Sequence, residues 1–446
     1  MAPHAAKLPS LDRAWHRAAV SHARLLERFL IDAPLPLALL RIVVPLVVLI
    51  SPELYSARAL VESPGRLAFV PEGLGLIARL PIGPALARVL FVIALSSAAT
   101  AILGWWSRAS LLVLTLSAGL LFSLSQRQGA VLHDMHLFWM TALLAASPCG
   151  DALSLDAWGK PRPLPSLRYG VPLFFARLLL GLVYLFPGLH KLRVSGLSWM
   201  TADNVIHQMH AKWLEHGRLP ILRVDHAPLL CAAGAVLVIA FELSFLGLAL
   251  FSRRTRWVAL GAGLAFHLST QLFLFIPFVS LWACYVVLVS PRAEAVDRDA
   301  RAERLPIVVG TLLAVAVLVQ GVRGQTDAWP VACYPTFAHV HGPTIPDLLV
   351  EVTLEDGTTR RLTGREERAR SQNDWGRAFR LSGAYGDVPA ERPLRIYAQE
   401  VVLGSRITPD SIERTRIYRV AMPTAPEAWQ EPPAGGVLLR EITGPP

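Results

Sequence analysis

The stretch LVYLFPGLHKLRVSG, residues 182–196, is apolar until Pro187 and then places His190 and Lys191 side by side. A lysine at that point either snorkels out of a membrane-spanning helix or serves as a base at the membrane's edge. The choice turns on what surrounds it. Of the 446 residues, 53% are hydrophobic and only 17% are charged, with a mean hydropathy of +0.44. A soluble domain carries about a quarter charged residues, so the chain reads as an integral membrane protein. Its net charge of +10 comes mostly from loop arginines, which points to positive-inside topology and not to nucleic acid.

A spanning helix needs about 20 apolar residues, fewer inside a bundle. Apolar stretches fall at 35–51, 84–106, 109–126, 131–147, 171–190, 228–251, 256–275, 276–290 and 305–322. They predict an all-α polytopic bundle of about nine spans over residues 34–324. The eighth is short, and FIPF at 275–278 marks a tight turn before it. Residues 1–33, with Arg13, Arg17, Arg24 and Arg28 among apolar neighbours, read as a basic amphipathic segment without the apolar core of a signal peptide. No internal repeat stands out, which disfavours a transporter built from paired halves.

Loop charges set the orientation. Arg108, then Lys160, Arg162 and Arg168, then Arg253, Arg254 and Arg256, and finally the arginine-rich loop 292–304 all fall on one side if the basic N-terminus is cytoplasmic. That assignment, in the cell (cytoplasmic or inner) membrane, puts Lys191 at the outer end of the fifth span. His133 then opens the fourth span from outside, and His267 lies in the outer half of the seventh. From about residue 325 the chain turns polar, with alternation in LLVEVTLEDGTTRRL (348–362) and a hairpin signal at Asp356-Gly357. This predicts a small β-rich domain over 325–446, outside the membrane on the outer face. Cys149, Cys231, Cys284 and Cys333 form no metal or redox motif.

Ionisable side chains at membrane depth cost about 2.5–3.5 kcal/mol and default to functional hypotheses. Snorkelling explains a lysine at a helix end well. Against it, Pro187-Gly188 is expected to break the helix and free backbone groups there. The following residues 191–226 also stay aromatic and histidine-rich. A lysine in such a dry rim is usable as a base near neutral pH. His133, Asp134 and His136 in VLHDMHLFW form a second polar group, Asp134 reading as wet and interfacial. His267 alone in an apolar helix is as easily a packing residue. Arg41, Arg177 and Glu242 are intramembrane charges that need partners. The pairs His133/His136 and His207/His210 have helical metal-ligand spacing, but no further histidine box accompanies them, so no metal is expected.

FPGLHKL followed by a tryptophan-containing polar segment resembles the vitamin K-dependent gamma-glutamyl carboxylase, whose corresponding stretch ends in a lysine pair. The larger group is the horizontally transferred transmembrane domain family. PLALLRIVVPLVVL (36–49), ILGWWSRASLLVLTLSAGLLFSLSQRQGAVLHDMHLFW (102–139) and FHLSTQLFLFIPFVSLWACYVVLVSP (266–291) resemble further segments of that family in the same order. The resemblance covers residues 34–291. It implies that Lys191 is the catalytic base, with His133 and His267 as catalytic partners and His190, His136 and Trp199 around the bound quinone. The implied reaction oxidises a reduced vitamin K-like naphthoquinone with O2 to its epoxide, generating a strong base that removes a proton from a protein glutamate, which then captures CO2. Membrane lipid and quinone, and a protein or peptide glutamate, are the implied partners. Two departures stand out: His190 replaces the first lysine of the pair, and Leu132 replaces an asparagine before the mouth histidine. The second falls at a residue that assists quinone chemistry in the family, and the alternative is a non-catalytic lipid-, quinone- or partner-binding membrane protein of the same fold.

Overall fold

The computed structural model describes residues 30–55, 57, 80, 82–126, 134–291, 295–324, 328–332, 337–363, 391–405, 407–429, 433 and 435–446. The basic segment up to residue 29, Leu132, His133 and Cys333 lie outside the described residues. The helices in chain order are α1 (Leu35–Ile50), α2 (Pro84–Leu103), α3 (Ser107–Gln126), α4 (Met135–Ala145), α5 (Leu167–Ser195), α6 (Ala202–His216), α7 (Pro228–Phe251), α8 (Arg253–Leu274), α9 (Val279–Cys284) and α10 (Arg304–Arg323). Among the described residues six of these, α2, α3, α5, α7, α8 and α10, are long and apolar enough to cross a membrane. The other three predicted spans, at 35–51, 131–147 and 276–290, coincide with shorter apolar helices.

Local sequence explains the ends. Proline opens α2, where the first amide needs no partner, and Gly104 closes it in the left-handed conformation at φ 71°. A reciprocal Ser252–Thr255 capping box starts α8. Arg41, fully buried and expected to need a charged partner, meets backbone carbonyls instead. It donates to the carbonyls of Ala101 (2.5 Å) and Ile102 (2.9 Å) at the end of α2, and to Cys149 O (3.2 Å) and Leu153 O. It thereby adds donors to carbonyls at the helix end and in the loop after α4.

The expected break at Pro187-Gly188 is not there. Helix α5 runs unbroken for 29 residues through both Pro172 and Pro187. Proline removes one helical hydrogen bond, but neighbouring helices hold such a helix together. Here α7 is that neighbour: a Cβ on Gly181 would stand 2.9 Å from Leu246 Cα, and one on Gly188 3.0 Å from Glu242 Cβ. These glycines let the two backbones approach closely. As a result α5 is the central helix, with 72% of its apolar window buried against 22% for α8. The peripheral helices expose leucines and valines such as Leu237, Leu268 and Leu312, as a lipid-facing surface does.

Charged loops gather at one end. Arg108 and Arg168 both reach Glu303, at 2.5 and 3.0 Å, and the Asp297 amide donates to Pro165 O. At the other end of α5 sits the C-terminal unit, a four-stranded antiparallel sheet in the order β2-β1-β3-β4, comprising β1 (Thr344–Leu354), β2 (Thr359–Thr363), β3 (Ile412–Pro423) and β4 (Val437–Thr443). The expected hairpin at Asp356-Gly357 joins β1 to β2, with Gly357 at φ 80°. A helix the alternation pattern did not predict, α11 (Glu391–Gly404), packs Leu394, Ala398 and Val401 against Val350 and Ile417. Ile345 and Met422 of the sheet meet Leu214 of α6.

Candidate functional site

Three polar residues leave one face of the central helix at intervals of seven: Arg177, Tyr184 and Lys191. Seven residues are close to two full turns, so the three project along a common stripe. Each meets its own partners. Arg177 donates to Asp32 (2.5 Å), Tyr184 shares a hydrogen bond with His267 Nε2 (2.6 Å), and the Lys191 ammonium donates to Glu242 Oε1 (2.5 Å).

Lys191 is only 3% exposed. This is too deep for a snorkelling side chain, whose head group reaches water. Its Nζ also lies 5.1 Å from the centre of the Trp199 ring, a cation–π contact. Trp199 belongs to a short 3-10 turn, Gly196–Met200, and is pinned there by donating Nε1–H to Phe337 O at 2.6 Å. Ser195 donates to the next carbonyl, Ala338 O, at 2.7 Å. Residues before the sheet therefore lie across the end of α5.

Below them is a cavity of about 740 Å³ between α5, α6, α7 and α8. Lys191, Glu242, Trp199, Tyr184, His267 and Phe337 line it, among apolar side chains. The volume is that of a site for a small organic molecule, and a few polar groups on apolar walls are the usual pattern of one. Two buried polar atoms on its walls have no hydrogen-bond partner among the described residues: Glu242 Oε2 and His267 Nδ1. Leaving such an atom unpaired costs about 1–3 kcal/mol.

The residues expected at the site divide sharply. Lys191, Trp199 and His267 come together around the cavity. His190, although adjacent to Lys191, contacts Gly321 O of α10 through Nε2 (2.9 Å) and is not among the lining residues. One helical residue turns the side chain by about 100°, which carries it to another neighbour. His136 is fully buried on α4 and does not line the cavity either. His133 is outside the described residues. Trp213, on α6, donates to Phe273 O and does not line the cavity. Glu242 and Tyr184 are lining residues that sequence reasoning did not assign to the site.

The histidines with metal spacing turn to different partners. His207 Nδ1 contacts His341 O and His210 Nε2 contacts Asp225, each at 3.0 Å. Among the described residues no three His, Cys, Asp or Glu side chains stand together as metal ligands. Burial would raise the Asp225 carboxyl, but hydrogen bonds from Arg223 and His210 overcome it and hold the group at about 2. Arg223 also reaches Glu427 (3.3 Å), so this cluster ties the bundle to the C-terminal unit.

A bundle of apolar helices around a polar-tipped cavity defines a polytopic membrane protein with an internal cavity. The family model of the HTTM domain matches residues 73–291 of the chain. That match contains Tyr184, Lys191, Trp199, Glu242 and His267 and leaves out α1, Phe337 and the sheet. No curated protein and no solved structure matches the chain.

Proposed function

We propose that the protein is a membrane enzyme that oxidises a reduced naphthoquinone to its epoxide, with Lys191 as the base. The observation that carries this reading is a buried lysine–carboxylate pair on the wall of an apolar cavity, with one carboxylate oxygen left unpaired. A ring bearing a hydroxyl fits that wall: Glu242 Oε2 is an acceptor without a donor, and apolar side chains surround it. Lys191, Glu242 and Trp199 would hold the ring's polar edge. Bound there, a reduced naphthoquinone supplies the oxygen-dependent chemistry, and the family resemblance adds carboxylation of a protein glutamate with CO2.

The chain's own part is to place a proton. The ion pair carries one proton between Lys191 and Glu242. With that proton on Glu242, both groups are neutral and the amine lone pair accepts the Glu242 hydroxyl. A ligand hydroxyl that takes the place of that hydrogen bond can then give its proton to the Lys191 amine. Trp199, held by Phe337, keeps water from the ammonium formed there and from the ligand anion beside it. In this reading the protein lies in the cell membrane with its N-terminus inside and its sheet outside, and an apolar ligand arrives from the bilayer.

A second reading is a quinone- or lipid-binding protein without turnover. The Lys191–Glu242 pair favours it, since an engaged ammonium is not a base. One experiment separates the two. Full-length protein in nanodiscs is given reduced vitamin K and O2, and the epoxide is measured by chromatography for wild type and Lys191→Ala. Epoxide from wild type and at least a hundredfold less from the variant is expected. Ligand binding with no epoxide from either would establish the binding protein.

A further inference from the structure

The cavity has a second polar pole, two helical turns from Lys191, or about 10 Å along α5. Tyr285 and Tyr184 share a hydrogen bond between their hydroxyls (2.5 Å), and Tyr184 shares the next with His267 Nε2 (2.6 Å). Phe241, Phe245 and Phe266 pack around Tyr184 and fix its ring. Only one sense of this chain uses both hydroxyl hydrogens. Tyr285 donates to Tyr184, Tyr184 donates to Nε2, and His267 is then neutral with its proton on Nδ1. That Nδ1–H is buried and has no acceptor among the described residues, on a side chain that is 0% exposed and lines the cavity.

We infer that His267 donates through Nδ1 to a second oxygen of the ligand, so that the cavity selects a ring with oxygens on opposite sides, one at Lys191–Glu242 and one at His267. Tyr184 and Tyr285 are positioning residues that set the histidine tautomer. This inference rests on the quinone reading and narrows it: a ring with a single oxygen would satisfy Lys191 and leave His267 unpaired. A site that offers a buried donor discriminates strongly against a ligand lacking the matching group, because the donor is then left dry and unbonded.

Binding, not turnover, tests it. Full-length protein in nanodiscs is titrated calorimetrically, without oxygen and with reductant present, with two probes of equal tail length, a prenylated 1,4-naphthohydroquinone and the matching prenylated 1-naphthol. Wild type is expected to prefer the two-oxygen probe by at least tenfold. In His267→Leu that preference should fall to within about twofold of unity, through loss of affinity for the naphthohydroquinone alone. Tyr184→Phe keeps the ring but frees the tautomer, and should lower the preference by several-fold without changing naphthol affinity. Thermal unfolding without ligand identifies any variant that fails to fold, and Tyr184→Phe, the smaller change, then decides. A preference unchanged in folded variants overturns the inference while leaving quinone binding at Lys191 standing. Failure of wild type to bind either probe overturns both.

Discussion

Two buried charge clusters sit on the same helix fourteen residues apart, and they are built in opposite ways. At Arg177, the Asp32 carboxylate receives Arg177 (2.5 Å), Arg256 (3.0 Å) and the Ala33 amide (3.0 Å). The guanidinium groups go on to Val287 O and Ser290 Oγ. At Lys191 a single contact joins one ammonium to one carboxylate oxygen, and the other oxygen lies bare beside a cavity. Both clusters bear the cost of burying charge. The first is cross-linked by its own chain and joins the segment before α1 to α5 and α8. The second is held open on one side, where a ligand can complete it.

Breaking each cluster should give effects of different size. Asp32→Ala leaves two buried guanidinium groups facing each other, and should destabilise the protein by about 3–5 kcal/mol, read as thermal unfolding in detergent. Lys191→Ala leaves one carboxyl beside a cavity that can admit water or let it neutralise, and should cost about 1–2 kcal/mol. Equal losses would remove the distinction between a structural and a ligand-completed cluster. The double change Lys191→Met with Glu242→Leu sharpens it, since replacing a buried pair by apolar residues is often neutral. Stability should return to wild type while epoxide formation stays absent.

A smaller effect is expected at the second pole. A Cβ on Gly263 would stand 2.5 Å from the Tyr285 hydroxyl, so Gly263→Ala must displace that group without removing any polar atom. Stability should fall by about 1–3 kcal/mol, the range for overpacking. The preference for the two-oxygen probe should drop as in Tyr184→Phe, and a retained preference would exclude Tyr285 from the relay. The least effect belongs to the Asp225 cluster outside the spans. A carboxyl held at about 2 contributes stability that is complete above its unfolded value near 4 and disappears as pH falls through 2. Asp225→Asn should therefore cost about 1 kcal/mol at pH 7 and flatten the unfolding profile between pH 4 and 2. A profile identical to wild type would show that Arg223 and His210 do not depend on it.

The sequence made the helices legible because an apolar run of twenty residues has few other meanings. It also made Lys191 conspicuous. Its misreading of Pro187-Gly188 has a physical cause: the penalty of a proline is local, but the support for the helix comes from Gly181 and Gly188 meeting α7, about 60 residues on. The partner of Lys191 was hidden for the same reason. Glu242 is 51 residues away, and only the close packing of two helices brings it within hydrogen-bonding reach. The stripe of Arg177, Tyr184 and Lys191 was present as a seven-residue interval, yet a tyrosine in an apolar helix does not draw attention to itself. Helix α11 was missed because its surroundings are rich in Gly and Pro, and a short amphipathic helix there offers a weak periodic signal.

Phe337 lies outside the HTTM match, yet its carbonyl anchors the tryptophan that covers Lys191. The lysine and its cover therefore share one part of the chain, and the anchor of that cover belongs to another. A chain that joined this helical module to an unrelated tail would inherit the lysine and the tryptophan without the carbonyl that pins them and would have to supply another. Exchange of tails is then more than a change of attachment: it resets how firmly the tryptophan is held, and with it how far water reaches Lys191.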